Sequence, residues 1–374
     1  MPGKSTSSDK LLGLEALRFV AAFSVLIWHY QHFSDVADRP VNLIREQLPF
    51  YGLFRPFYNI GEYGVWVFWC ISGFIFFWNY RDAIANASVR GWTFFIYRLS
   101  RLYPLHLVTL IIVAILQAAY FHLQGYFFVY QNNDLPHFIP QVFLASDWGF
   151  QRSNSFNAPI WSISVEVVVY SVFFLLLRFV SKSPLLNLTI IAVSLNVSGQ
   201  VFSCLAFFYA GGLAAITRRT LEDTNSIALI EGMAWSTAAA IPGLIWIFGL
   251  QSSIVDWVFV LTYTPLLLFC LSRKFNLSTR VQTILAATGN MTYSSYLLHF
   301  PIQLLIALGF TISGNPIPFY ESWFFIAFMT STLLASYATY RYFEAPAQTF
   351  LRNHLILSPG RKTSSNASVR QSHG

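Results

Sequence analysis

Long apolar runs dominate this chain, and their length decides what it can fold into. A helix needs about 20 mostly apolar residues to cross the hydrocarbon core of a bilayer. Ten stretches meet or approach that length: 14–33, 60–80, 103–122, 158–180, 185–199, 201–217, 227–249, 254–272, 283–309 and 322–343. With 55% hydrophobic and 10% charged residues over 374 positions, too little polar surface remains to solvate a globular domain. The sequence therefore predicts an all-α integral membrane protein, a bundle of about ten transmembrane helices.

Residues 185–217 form one apolar stretch broken by Asn196, Ser198, Gly199 and Gln200. The break predicts a tight hairpin between two short helices, against the alternative of a single tilted span. Charge distribution favours the hairpin. With ten spans, nineteen of the 23 Lys and Arg fall on one side, leaving Arg39, Arg45, Arg55 and Arg152 on the other. Cytoplasmic loops accumulate Lys and Arg, so this pattern puts both termini in the cytoplasm. Merging the fifth and sixth spans would send the later basic loops to the wrong side.

A polar segment is expected over residues 1–10, a membrane domain over 11–350 and a disordered cytoplasmic tail over 351–374. The net charge of +7 is scattered among short loops and forms no stripe for a nucleic acid. Cys70, Cys204 and Cys270 lie inside apolar runs, where a thiol behaves as a small hydrophobe, so neither disulfides nor a metal site is expected. Two extracytoplasmic loops, 34–59 and 123–157, are long and aromatic enough to close over a polar acceptor.

Ionisable residues within the spans carry the functional information, because each is costly in hydrocarbon. His29 lies in the first span, eleven positions after Arg18 and so about 16 Å further along the helix. A neutral imidazole there suits a general base, and equally a histidine that bonds a neighbouring helix. Arg98 and Arg101, three residues apart, share one helix face at the start of the third span. Their forked donors match phosphate oxygens, and they also fit contacts with lipid headgroups. Glu166 sits in APIWSISVEVVVY beside Trp161, Ser162 and Ser164, where it either orients a base or anchors the bundle. In GNMTYSSYLLHFPI, Tyr293, Ser294, Ser295, Tyr296 and His299 form a polar cluster of the kind that lines a cavity. Glu344 has Arg341 one turn back and is expected to pair with it at the interface. The small-residue run YAGGLAA at 209–215 suits close helix packing.

No phosphate-binding glycine loop, HExxH, CxxC, GxSxG or Asp-x-Asp motif is present. Nucleotide-driven pumps, zinc proteases, serine esterases and metal-dependent glycosyltransferases lose ground accordingly. A secondary transporter or channel also tolerates buried His, Glu and Arg, although no internal repeat or pair of broken helices is visible.

Taken together, the motifs resemble the acyltransferase-3 family of membrane O-acyltransferases. The resemblance rests on Arg18 with His29, GVWVFWCISGFIFF, RLSRLYP, WSISVE, FFYAGG, GNMTYSSYLLHFP and the closing FEAP, in that order between residue 11 and about residue 350. It implies ten helices in a bacterial inner membrane, a cytoplasmic acyl-CoA donor, usually acetyl-CoA, and no metal. The implied acceptor is a hydroxyl of a carbohydrate or lipid-linked glycan, such as an exopolysaccharide or lipopolysaccharide unit. By the same resemblance His29 and Glu166 are catalytic, while Arg18, Arg98 and Arg101 hold the coenzyme. Trp161, Ser162, Tyr293, Ser294 and His299 are expected to bind substrate. Some members complete the transfer with a carboxy-terminal SGNH domain, and here transfer is expected within the membrane domain.

Overall fold

The computed structural model describes residues 11–150, 153–247 and 253–356. Helices α1 (Leu12–Tyr30), α2 (Tyr51–Ile60), α3 (Gly64–Ala85), α4 (Gly91–Gln124), α5 (Leu135–Val142), α6 (Trp161–Phe179) and α7 (Pro184–Ser194) come first. After them come α8 (Gln200–Leu221), α9 (Ile227–Ile247), α10 (Ser253–Leu271), α11 (Thr279–Asn290), α12 (Thr292–Ser313), α13 (Ser322–Thr339) and α14 (Ala345–Ile356). The described strands are β1 (Asp35–Val36) and β2 (Arg39–Pro40), which pair antiparallel with Asp35 opposite Pro40. Among the described residues seven helical segments are long and apolar enough to cross a membrane, and the chain is a multi-pass membrane protein.

Among the described residues every predicted span corresponds to helix, with 248–249 of the seventh lying outside them, but three differ in extent for identifiable reasons. The stretch 185–217 is two helices, and Gly199 between them has a φ of +126°, a conformation that favours glycine. Of the two, α7 has 11 residues, about 16 Å of rise and roughly half the hydrocarbon thickness. The predicted span 283–309 is interrupted at Met291 between α11 and α12. There the Thr292 hydroxyl donates to the Gly289 carbonyl at 2.8 Å, competing with the helical ladder. The third predicted span starts twelve residues earlier than expected, because α4 runs for 34 residues from Gly91. Arg98 and Arg101 accordingly lie within a helix that is already well under way.

Close backbone approach fixes the centre of the bundle. A Cβ on Gly73 of α3 would stand 1.8 Å from the Phe208 carbonyl oxygen, and one on Gly211 of α8 would stand 1.9 Å from that of Cys70. The small-residue run 209–215 thus lets α3 and α8 touch backbone to backbone. Around this contact Phe94, Phe173 and Phe208 pack edge-to-face on Phe76 in one buried aromatic cluster. A second cluster joins Tyr30, Phe33, Phe325 and Phe328 to Phe128 and Val129 of the loop after α4. That loop is tied down by Gln117, whose amide donates to the Phe128 carbonyl at 2.8 Å and accepts from its N–H at 3.0 Å. Cys70, Cys204 and Cys270 are all free and buried.

At the C-terminal end, helix α14 runs through Ile356, so residues 351–356 are helical where tail was expected. Residues 357–374, like 1–10, lie outside the described residues.

Candidate active site

Five helices enclose a cavity of about 110 Å³ whose walls carry an excess of positive charge. Helix α1 contributes Arg18, α3 Ser72 and Phe76, α4 Arg98 and Arg101, α6 Ser162, Glu166 and Tyr170, and α12 Thr292, Tyr293 and Tyr296. The i, i+3 spacing of Arg98 and Arg101 does put both on the cavity face of α4.

Each arginine is held differently. The Arg18 guanidinium donates to Glu15 at 3.2 Å and to the Thr292 hydroxyl at 3.3 Å. Gly289 makes room for this pair, since a Cβ there would stand 1.8 Å from the Glu15 carboxylate. Arg98 lies over the rings of Phe76 and Tyr80, 4.4 and 4.9 Å from their centroids, and donates to the Tyr80 hydroxyl at 2.7 Å. Its Nε is buried without a hydrogen-bond partner. Arg101 makes no hydrogen bond or ion pair among the described residues. The cavity therefore contains two guanidiniums, Arg98 and Arg101, without a carboxylate in contact. Both are half-buried, with Glu166 within electrostatic reach of each, and the net positive charge that remains would favour an anion.

Glu166 faces the same cavity at 9% exposure, and its Oε1 is buried without a hydrogen-bond partner. It does not reach His29. That imidazole is oriented instead by its own helix, through an Nδ1 contact of 2.8 Å with the Val25 carbonyl. A carbonyl only accepts, so Nδ1 carries the proton and Nε2 keeps its lone pair. His299 repeats the arrangement, with Nδ1 3.3 Å from the Ser295 carbonyl and a buried Nε2 that lacks a partner. The two rings lie 4.6 Å apart. Tyr296 links this pair to the cavity: it lines the wall, its ring is 6.0 Å from that of His299, and its hydroxyl donates to the Pro159 carbonyl at 2.7 Å. Ser162 is 2.8 Å from the same hydroxyl.

Of the residues predicted from sequence, Arg18, Arg98, Arg101, Glu166, Ser162 and Tyr293 share the cavity. His29 and His299 adjoin each other beyond Tyr296. Trp161 packs edge-to-face on Trp69 at 5.7 Å, away from the cavity lining. Ser294 also lies off that lining and donates to Glu344 at 2.6 Å. The expected Arg341–Glu344 pair does not form. Residues 340–344 make a π-helical turn that leaves Arg341 exposed and buries Glu344 to 4% exposure, and Arg341 donates to the Tyr337 hydroxyl at 3.5 Å.

Three neighbours escaped the sequence reading. Gln303 donates to the His29 carbonyl at 2.7 Å. The His32 ring stands 5.0 Å from that of His29, one turn further along. Tyr130, from the loop after α4, approaches His32 at 5.9 Å, so that loop covers the histidine end of the site. His32 follows His29 by three residues, a helical spacing that could have marked it.

The model of the acyltransferase domain of the acyltransferase-3 family matches residues 11–341. The acyltransferase MdmB of Streptomyces mycarofaciens is 29% identical over 187 residues, 48% of this chain. The chain spans 42% of that relative's length. No solved structure gives a significant match. The match over residues 11–341, which contains the arginine-lined cavity and both facing histidines, shows that this multi-pass membrane protein belongs to the acyltransferase-3 family.

Proposed function

We propose that the protein is a membrane O-acyltransferase that moves an acyl group, acetyl by default, from cytoplasmic acyl-CoA to a hydroxyl of a carbohydrate or lipid-linked glycan. Such a glycan is, for example, an exopolysaccharide or lipopolysaccharide unit at a bacterial inner membrane. In this reading the bundle crosses the membrane ten times with both termini in the cytoplasm, in keeping with the nineteen Lys and Arg on that side.

One observation carries the reading: Arg98 and Arg101 face a cavity without ion-pair partners, and Tyr296 in its wall stands next to His299, which pairs with His29. Acyl-CoA supplies the anion the arginines lack, because its diphosphate matches guanidinium forks. With the phosphates at Arg98 and Arg101, the narrow pantetheine arm extends along the cavity toward the histidines.

The acceptor hydroxyl then gives its proton to His29 Nε2 while its oxygen attacks the thioester carbonyl carbon. The C–S bond breaks, the thiolate of CoA leaves, and the proton on His29 passes to that sulfur. The ester stays on the acceptor. Arg18 and Glu166 fix the electrostatics of the cavity, and Ser162, Tyr293 and His299 bind the reacting groups.

The test is release of free CoA thiol from acetyl-CoA by the reconstituted protein, with and without an extracted glycan. Glycan-dependent release, with a matching acetyl mass increment on the glycan, is expected. Solute uptake into the vesicles without any CoA release would overturn the enzyme reading in favour of transport.

A further inference from the structure

Beyond the two arginines of the cavity, a third guanidinium approaches from the other end of the chain. Helix α14 packs along the first half of α4, where the Trp92 indole N–H donates to the Leu355 carbonyl at 3.4 Å. From this helix Arg352 reaches across, its Nε donating to the Ser100 hydroxyl at 3.1 Å and one terminal nitrogen to the Tyr97 carbonyl at 3.2 Å. Its guanidinium lies over the Tyr97 ring, 5.0 Å from the centroid. The principal charges acting on it are those of Arg98 and Arg101; burial, followed by these two, holds the Arg352 pKa below its usual value.

Arg352, Arg98 and Arg101 form no ion pair among the described residues. Glu166 lies within electrostatic reach of Arg98 and Arg101, and Glu344 of Arg101, but neither carboxylate touches a guanidinium of the three. Two carboxylates against three guanidiniums leave the group net positive, so an added anion would stabilise it. Arg352 is also prepared for a ligand. Two of its five N–H groups fix the fork in place, leaving three donors free.

We infer that Arg352 is a further donor-binding residue, which takes the phosphate of coenzyme A that lies farthest from the thioester, the ribose 3′-phosphate. The inference rests on the acyl-CoA reading above. Its logic is one of order. Arg98 and Arg101 line the cavity and suit the diphosphate next to the pantetheine arm, whereas Arg352 stands outside the cavity lining, where the nucleotide end must lie. A lipid headgroup phosphate shares this chemistry and is the competing source.

Equilibrium binding of CoA and of 3′-dephospho-CoA to the full-length protein in phosphatidylcholine nanodiscs separates the possibilities without any need for the acceptor. Wild type should bind CoA about tenfold tighter than the dephospho form, the scale of one charge-assisted contact. In Arg352→Ala that preference should vanish because CoA alone weakens, and retained binding of 3′-dephospho-CoA would show that the fold is intact. Arg352→Lys should restore part of the preference.

Equal weakening of both ligands, or no change in either, would overturn the inference and leave Arg352 a packing or lipid-contact residue. Added phosphatidylglycerol that competes with CoA in wild type but not in the Ala variant, with no preference between the two coenzymes, would assign the site to lipid instead. If wild type binds neither coenzyme, the donor assignment itself fails and takes the inference with it.

Discussion

His29 of α1 and His299 of α12 face each other with ring centroids 4.6 Å apart, and each turns its Nδ1 onto a carbonyl of its own helix. Nδ1 is thereby occupied on each ring and Nε2 is left for other partners, while the arginines stand around the cavity. In the proposed reading base and donor anchor are different residues, and variants should separate them.

Replacing His29 with Ala should lower kcat about 10²- to 10⁴-fold, the usual contribution of a positioned general base. The KM for acetyl-CoA should stay near wild type, because the proposal puts the phosphates on arginines elsewhere. His299→Ala should also act on kcat, by about 10² at most. Rates of CoA thiol release at saturating donor check both, and a His29→Ala enzyme with near-normal kcat would remove His29 from the chemistry.

The α3–α8 contact predicts a packing hierarchy among glycines. Gly211→Leu would drive a side chain into the Cys70 carbonyl, where even a Cβ stands at 1.9 Å, and should cost about 1–3 kcal/mol or more. Gly232 of α9 has nothing within 4 Å of a built Cβ, so Gly232→Ala should not destabilise. Unfolding midpoints of the detergent-solubilised variants compare the two, and equal midpoints would argue against backbone-to-backbone packing.

Glu344 is joined to Ser294 at 2.6 Å, and Arg341 points outward. Glu344→Leu leaves the buried hydroxyl of Ser294 without its acceptor and should destabilise by about 1.5–3 kcal/mol, whereas Glu344→Gln keeps an acceptor oxygen and should cost less. Arg341→Ala should change stability by less than about 0.5 kcal/mol. Chemical denaturation of the three variants measures this, and an Arg341→Ala loss as large as that of Glu344→Leu would restore the ion pair that the sequence had suggested.

Outside the spans, burial and then the charge of Asp38 push the Asp35 carboxyl up to about 7. An unfolded segment would release this proton near pH 4. The stability of the protonated hairpin is therefore fully present below about pH 4 and lost as pH rises through about 7. Asp35→Asn, which stays neutral, should slow amide exchange in residues 35–40 relative to wild type at about pH 8, and the difference should shrink toward pH 4. A difference that is constant with pH would mean Asp35 is not titrating in this window.

Much of this protein was legible because hydropathy and helical period are local. Runs of apolar residues marked the long helices but not α2, α5 or α14, Gly199 marked the break between α7 and α8, and a three-residue spacing put Arg98 and Arg101 on one face. The partners of those faces were not legible. Nothing local indicates that Glu166 joins the arginines and not His29, that Thr292 interrupts a helix by bonding Gly289, or that a π-helical turn inverts Arg341 and Glu344. Arg352, 251 positions after Arg101, reads in sequence as one more cytoplasmic charge. Only the packing of α14 on α4 brings it to the other two arginines. Length and composition act along one helix, so the sequence by itself determined which segments form long apolar helices. The rotation and approach of each helix depend on contacts such as Gly73 with Phe208 and Gly211 with Cys70. Those contacts join residues more than 130 positions apart, and they decided which charges share a cavity.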